Sequence, residues 1–338
     1  MKSSLTSSTH KHRWRLFAVL AGIAAVAAVL SMALGPVFVS PMEVLRALFS
    51  GSDGSAEAKI VLYSRLPRTA GCLLAGAALA VSGALTQSVL ANPLASPGTI
   101  GVNAGAGVAA AVCCAVAPTS QAVIPVAAFV GAMAATLLVL FIAERTGAAK
   151  ITLVLAGVAI SNILSAGVDA VTIFVPDALN SYSDFRIGSL ENLTLARLAA
   201  PAVVTALALI VAFSLTNELD VLMLGSETAQ SLGLRVGRMR ILLLAVSAAL
   251  AGAAVSFAGL LGFVGLIAPH IIRRFTGDEA RFLLPASALG GAALLLICDL
   301  ASRLVFAPYE LPVGITLAFI GGPFFIWLLL RQRKGRIT

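Results

Sequence analysis

Long apolar runs separated by short polar segments dominate this chain from residue 16 onward. The first run, 16–39, exceeds the apolar core of about 7–15 residues found in a cleaved signal peptide, so it is predicted to remain as a helix. A helix of about 20 apolar residues spans a bilayer core. On that basis nine further spans are predicted, near 69–91, 97–116, 122–143, 151–174, 196–215, 240–260, 263–274, 283–306 and 312–331.

These runs predict an all-α polytopic membrane protein of about ten transmembrane helices. Hydrophobic residues make up 59% of the chain and charged residues only 11%, against roughly 45–50% and about 25% in soluble domains. Such a chain cannot cover a water-facing surface with polar groups. We expect a basic tail at 1–15, a single transmembrane domain at 16–331 with a polar inner loop at 216–240, and a second tail at 332–338.

The distribution of charge predicts the orientation. If the spans alternate from a cytoplasmic N-terminus, sixteen of the 23 Lys and Arg residues fall on the cytoplasmic side and nine of the 15 Asp and Glu residues fall outside. The positive-inside rule favours this arrangement, which places both termini in the cytoplasm. Since topology accounts for the net charge of +8, no nucleic-acid partner is predicted.

Two short segments at the ends of the second span contain charged or helix-breaking residues that helix packing does not require. Arg65-Leu66-Pro67-Arg68 precedes the span and is expected to present guanidinium groups to water at the membrane surface, although interfacial snorkelling is an alternative. After the span, Pro93 and Pro97 force a break. Asn92 and Leu94 are then well placed to close a pathway, whereas the alternative is an ordinary turn.

The polar inner loop contains a predicted short helix. Ser226 can cap its first turn and Glu227 favours the positive end of its dipole. Gly233 can adopt the left-handed conformation that ends a helix. Such a helix, followed by Arg235, is a docking element for a soluble partner; a plain connecting loop is the alternative.

Three further features lie in the apolar runs. The glycine-rich segment from Gly259 to His270 predicts a broken, adjustable span, and His270 is expected to form structural hydrogen bonds. Asp299 and Arg303, four residues apart, predict a structural ion pair. Asp169 has no obvious partner, so a proton-relay role for it is left open.

Motifs for catalysis are missing from the sequence. It contains no GxxxxGK[ST] segment, no HExxH and no CxxC, and its four cysteines lie in apolar surroundings. We therefore predict no catalytic residue, no metal site and no cofactor bound by this chain. Energy for any transport must come from an ion gradient or from a partner.

The chain resembles the FecCD-type permeases of iron–siderophore, haem and vitamin B12 importers over about residues 60–335. The resemblance rests on ordered motifs: Arg65-Leu66-Pro67-Arg68, Gly83 to Gln87, Asn92 to Pro97, Leu155 to Gly157, Leu232-Gly233, Gly262 to His270, and Glu310 to Gly314. It implies the vitamin B12 permease-like fold of type II ABC importers, in a bacterial cytoplasmic membrane. Implied partners are a second permease chain (identical or different), two ATPase subunits that bind ATP and Mg, and a periplasmic or lipid-anchored binding protein.

The resemblance also implies roles for individual residues. Coupling to the ATPase is implied for Glu227, Thr228, Ala229, Leu232, Gly233 and Arg235, docking of acidic binding-protein side chains for Arg65, Arg68 and Arg303, and a position near the cytoplasmic gate for Asn92 and Leu94. The turn at 146–152 departs from the family pattern at Lys150 and Ile151, so no gate residue is assigned there.

An iron–siderophore is the expected substrate, with vitamin B12 and haem as alternatives. A different class, the ion-coupled secondary transporter, should show paired intramembrane carboxylates or inverted halves with matching broken helices. Asp169 and Asp299 do not form such a pattern in the sequence.

Overall fold

A computed structural model describes residues 3–51, 54–117, 122–146, 150–305, 307 and 309–334, with the backbone alone at 3–13, 50, 329 and 331–334. A π-helical turn, Val61–Arg65, joins the helix Ala56–Ile60 to the helix Leu66–Leu90, and a 3₁₀ turn, Pro97–Ile100, precedes the helix Val102–Val116. The helices are α1 Ser3–Ala33, α2 Pro41–Ser50, α3 Ala56–Ile60, α4 Leu66–Leu90, α5 Val102–Val116, α6 Val123–Arg145, α7 Lys150–Phe174, α8 Ala178–Ile187, α9 Leu195–Ser214, α10 Thr216–Met223, α11 Ser226–Ser231, α12 Val236–Ala258, α13 Val264–Thr276, α14 Ala280–Leu304 and α15 Val313–Lys334.

Each of the ten predicted spans coincides with one helix, so the prediction of an all-helical membrane fold is confirmed. In the described part of the chain, seven helical stretches are long and apolar enough to cross a membrane: those of α1, α3–α4, α6, α7, α9, α12 and α14. Two shorter apolar helices, α5 and α15, accompany them. The remaining predicted span is α13, whose 13 residues extend only about 20 Å at 1.5 Å per residue.

The central helix is α4, most of whose 25 residues are buried. It packs against α12, α13 and α14. Gly76 of α4 lies against the backbone of Gly291 in α14, and Gly83 lies against the backbone of Gly265 in α13. Because lipid removes the hydrophobic drive between helices, such close backbone approach supplies much of the packing energy.

Gly83→Ala is expected to destabilise the protein, because the new methyl group would overlap the Gly265 carbonyl, a backbone group that cannot rotate away. Overpacking of this kind costs about 1–3 kcal/mol. Gly237, in the first turn of α12, is a matched control since a methyl group there meets nothing within 4 Å. The midpoint of thermal unfolding in detergent should fall for Gly83→Ala only; equal midpoints for the two variants would contradict the close crossing.

The segment predicted to be broken at Gly259–His270 is broken, since α12 ends at Ala258 and α13 begins at Val264. The Leu260 N–H donates to the Phe185 carbonyl at 3.0 Å, which ties this connection to α8. Phe263 adopts a left-handed φ of 66°, uncommon for a residue with a side chain. Its ring lies where a side chain at Gly321 of α15 would otherwise be.

Candidate functional site

The polar loop at 216–240 folds into α10 and α11, and α11 presents an exposed surface. The predicted coupling residues Glu227, Thr228, Leu232, Gly233 and Arg235 are exposed, with Leu232 at 62%. Ala229 is the exception: it is fully buried and joins the hydrophobic core. One buried methyl group therefore attaches α11 to the bundle, while the other five residues remain open to a partner.

Only the C-terminal end of α11 matches the prediction. Gly233 has the predicted left-handed conformation, φ +86°, and the Leu234 N–H donates to the Ala229 carbonyl at 2.9 Å. The prediction that Ser226 is the N-cap is wrong, because Gly225 occupies that position. The Ser226 hydroxyl instead accepts a hydrogen bond from Arg240 Nη2 at 3.3 Å.

A second contact fixes this loop to the membrane helices. The Asp220 carboxylate of α10 accepts a hydrogen bond from the Ala280 N–H at 2.8 Å. Ala280 is the first residue of α14, so the carboxylate meets the positive end of that helix dipole. This hydrogen bond ties α10 to the first turn of α14.

At the opposite end of the bundle, Asp299 is the centre of a buried ionic cluster. Arg68 Nε donates to Asp299 Oδ1 at 2.9 Å, and Arg303 Nη2 lies 3.0 Å from Asp299 Oδ2. Arg68 Nη1 also donates to Glu310 Oε2 at 2.5 Å. The predicted pair between Asp299 and Arg303 is present, and Arg68 of α4 joins it.

Arg303 of this cluster and the neighbouring Arg65 bind the end of α1. Arg65 Nη1 donates to the carbonyls of Met32 at 2.7 Å and Ala33 at 2.8 Å. Arg303 Nη1 donates to the Ser31 carbonyl at 3.1 Å. The last carbonyls of a helix lack intrahelical donors and carry the negative end of its dipole, so guanidinium groups are suitable partners.

The expectation that Arg65 and Arg68 face water is wrong, since only 5% and 8% of their surfaces are exposed, and Arg303 is similarly buried at 2%. Arg65 and Arg68 bind acceptors that are distant in the sequence, at the end of α1, on α14 and at Glu310. Arg303 binds the Ser31 carbonyl of α1 and also Asp299, four residues away on its own helix. The implied docking role of the three arginines stays a prediction. Glu310 is the more exposed carboxylate of the cluster, with 27% of its side chain accessible.

The predicted gate residues lie in a tight turn after α4. Ala91 ends the helix with a left-handed φ of 48°, and Asn92 Oδ1 accepts a hydrogen bond from the Leu94 N–H at 2.9 Å. Both Asn92 and Leu94 are partly exposed. In the second turn, 146–152, residues 147–149 lie outside the described residues, while Ile151 is 70% exposed at the start of α7.

A polar cavity of about 510 Å³ lies between α5, α7 and α8. This cavity was not predicted from the sequence, although the spacing of its α7 residues places them on one helical face. Its polar lining comprises Asn103 of α5, Ser161, Ser165, Asp169 and Thr172 of α7, and Tyr182 and Arg186 of α8. Burial raises the pKa of the Tyr182 hydroxyl, and Arg186 opposes that shift.

The polar face of α7 is not suited to lipid. Asp169 and Ser165 are exposed, and only 17% of the most apolar stretch of α7 is buried within the chain. Ionisable side chains within transmembrane segments usually face a bundle interior or a water-filled cavity, because their contact with lipid is costly. We therefore expect this face to border water or another protein chain.

A further cavity of about 360 Å³ lies near the ionic cluster and includes Asp184, Glu191 and Arg197 in its lining. Burial raises the pKa of the Glu191 carboxyl, although the positive charge of Arg68 acts in the opposite direction. This end of the bundle thus holds partly buried charges of both signs.

His270 and the four cysteines occupy packed positions. The His270 ring meets Phe324 of α15 edge to face, with centroids 6.1 Å apart. Its hydrogen-bonding role stays a prediction. Cys72, Cys113, Cys114 and Cys298 are buried free thiols.

Comparisons with known proteins point to one family. The model of the FecCD transport family matches residues 23–331. The Fe(3+)-citrate import system permease protein YfmE of Bacillus subtilis (strain 168) is 40% identical, covering 96% of this chain and 98% of its own. The ferric enterobactin transport system permease protein FepD of Escherichia coli (strain K12) is 39% identical, with 92% and 93% covered. The hemin transport system permease protein HmuU of Yersinia pestis is 38% identical, with 86% and 89% covered.

A solved structure has the same fold. It is an inward-facing conformation of a metal-chelate type ABC transporter, with a TM-score of 0.82 and 27% identity, covering 94% of this chain and 98% of that one. The family match, the relatives and the shared fold together show that this chain belongs to the FecCD transport family of ABC-importer permease subunits.

Proposed function

We propose that this chain carries an intact metal chelate, an iron–siderophore in particular, across a bacterial cytoplasmic membrane. Relatives named for ferric citrate, ferric enterobactin and hemin support this substrate class. The chain supplies the passage and no chemistry of its own. ATP and Mg belong to the partner ATPase, and this chain binds no cofactor.

The observation that carries the proposal is the polar cavity on α7. Its hydroxyl groups, the Asn103 amide, the Asp169 carboxylate and the Arg186 guanidinium can exchange hydrogen bonds with the oxygen-rich periphery of a chelate. A second permease chain, identical or similar, would close the cavity into a pathway shielded from lipid. The substrate would pass between the two chains.

The ATPase subunits and the substrate-binding protein dock at opposite ends of the bundle. Two ATPase subunits bind the α11 ends of the permease pair, through Glu227, Thr228, Leu232, Gly233 and Arg235, with Ala229 as the internal anchor. That end, and both termini, lie in the cytoplasm, as the positive-inside rule favours. Asn92 and Leu94 lie near the cytoplasmic gate.

The substrate-binding protein docks at the end that carries the ionic cluster. Arg65, Arg68 and Arg303 remain the proposed recognition residues, through exchange of acceptors rather than through free guanidinium groups. Glu310 contacts Arg68 from the accessible side, so an acidic side chain of the binding protein can compete for Arg68 there. Charge complementarity of this kind governs steering and register more than affinity.

An ion-coupled secondary transporter is the alternative of another class. Such a protein needs a carboxylate that is free to change its charge during the cycle. Asp299 is fixed between Arg68 and Arg303. Asp169 lies on the polar face of α7 without a carboxylate opposite it among the polar lining residues of the cavity.

Uptake by vesicles tests the proposal. The chain is reconstituted with its cognate ATPase and binding protein, and uptake of ferric siderophore, ferric citrate, haemin and vitamin B12 is measured separately. We expect uptake of a ferric chelate that requires internal ATP and persists when ion gradients are collapsed. Uptake driven by an ion gradient without the ATPase would support the secondary transporter. ATP-driven uptake of vitamin B12 or haemin alone would show that this compound, and not an iron–siderophore, is the substrate.

A further inference from the structure

The short helix α2 lies between α1 and α3 and folds for local reasons. Ser40 and Glu43 form a reciprocal capping box: the Glu43 N–H donates to Ser40 Oγ at 3.3 Å, and the Ser40 N–H donates to Glu43 Oε2 at 2.9 Å. Pro41 occupies the first turn, where a missing N–H costs nothing. The helix therefore has a defined start and a fixed set of faces.

One face of α2 packs against the chain. Val44 and Ala47 are buried in a small hydrophobic cluster with Val39, Ala58 and Val61. The last two belong to α3 and to the π-helical turn that continues into α4. The position of α2 is therefore set by α3 and α4.

A second face is apolar and uncovered. Met42, Leu45 and Phe49 are 69%, 49% and 87% exposed, and at 100° per residue they share one sector of the helix. Glu43 and Arg46 lie in an adjoining polar sector. A helix with a packed face, a polar face and an exposed apolar face is suited to a boundary between water and lipid.

The depth of α2 agrees with such a boundary. The apolar part of α1, Trp14–Ala33, has 20 residues, or about 30 Å of helix, the thickness of a hydrocarbon core. Arg65 Nη1 binds the Ala33 carbonyl at 2.8 Å and so marks the level at which that core ends. Val61 and Ala58 precede Arg65 by four and seven residues, about 6–10 Å further along the helix. The interfacial layer is about 5–7 Å thick, so Val61 lies within it and Ala58 lies at or just beyond its outer edge.

The surface around α2 is continuous with the lipid-facing surface. Val29 of α1 is 53% exposed, Phe38 before α2 is 66% exposed and Tyr63 beside it is 70% exposed. Tyrosine is enriched at the level of lipid headgroups. We propose that the Met42, Leu45 and Phe49 face of α2 is inserted into the bilayer leaflet at the end that carries the ionic cluster, with Arg46 directed to water.

Tryptophan fluorescence tests this insertion without reference to substrate or ATP. The chain has two tryptophans, so Trp14→Phe and Trp327→Phe give a silent background for Phe49→Trp as reporter and Arg46→Trp as control. Each full-length variant is placed in vesicles of phosphatidylcholine with or without bromine on the acyl chains. We expect brominated lipid to quench most of the Phe49→Trp emission, while aqueous iodide quenches chiefly Arg46→Trp.

Three results would overturn the proposal. Iodide quenching of Phe49→Trp without bromine quenching would place this face in water. Resistance to both quenchers would indicate that a second copy of the chain covers it. Iodide quenching that disappears only when the binding protein is added would identify a protein docking surface. If Phe49→Trp does not fold, Leu45→Trp reports on the same face and is judged by the same three results.

Discussion

Asp299→Ala is expected to destabilise the folded protein by about 3–5 kcal/mol, the usual effect of removing one partner from a buried ion pair. Asp299 is fully buried and pairs with both Arg68 and Arg303. Its loss leaves two guanidinium charges without their shared carboxylate. Arg68 would keep its ion pair with Glu310, and Arg303 would keep its hydrogen bond to the Ser31 carbonyl. The variant is therefore expected to fold, with lower stability.

Asp278→Ala is the matched control, because Asp278 also pairs with an arginine at 2.5 Å but has 68% of its side chain exposed. Exposed pairs contribute about 0–1 kcal/mol. Midpoints of thermal unfolding in detergent should rank wild type and Asp278→Ala together, Asp299→Asn lower and Asp299→Ala lowest. A midpoint for Asp299→Ala equal to that of Asp278→Ala would show that the buried cluster does not stabilise the fold.

The burial of Arg65 and Arg68 complicates any test of docking by mutation. Charge reversal at Arg68 would break the buried cluster, and charge reversal at Arg65 would break its hydrogen bonds to α1, as well as any contact with a binding protein. A loss of binding-protein stimulation in such variants is therefore meaningful only when their thermal midpoints are unchanged. Glu310→Gln is the milder change, since it keeps the side-chain size at the accessible edge of the cluster.

The helical fold could be predicted from the sequence because each span carries its own signal. A run of apolar residues needs no distant partner to be recognised, and the break between Ala258 and Val264 follows from local glycines. The pair between Asp299 and Arg303 was predictable for the same reason, since four residues along a helix place side chains together. Local spacing was sufficient for these features.

Features that depend on distant elements were not predictable. Arg68 and Asp299 are 231 positions apart, and the sequence does not show that they meet. Ser226 was misassigned because the competing donor is Arg240, on the following helix. The polar face of α7 did have a local signal, Ser161, Ser165, Asp169 and Thr172, but its meaning depends on α5 and α8, which complete the cavity.

Replacement of the exposed residues of α11 is expected to abolish ATP-driven uptake while leaving the membrane domain folded. The variant replaces Glu227, Thr228, Leu232 and Arg235 with serine and keeps Ala229, whose buried methyl group holds the helix to the core. The exposed fractions of these four side chains indicate that they contribute little to folding within the chain. A rigid contact is needed for ATP-driven movement to reach the membrane helices, and Asp220 links α10 to the start of α14.

The measurement is ATP-dependent chelate uptake in vesicles, with the thermal midpoint and the amount of co-purified ATPase determined in parallel. Uptake should fall to background, and binding-protein stimulation of ATP hydrolysis should disappear, while the thermal midpoint stays near that of the wild type. Asp278→Ala, exposed in the connection between α13 and α14, is the control and should transport normally. Normal uptake by the α11 variant would contradict the coupling role, and a lowered midpoint would show that these side chains serve the fold instead.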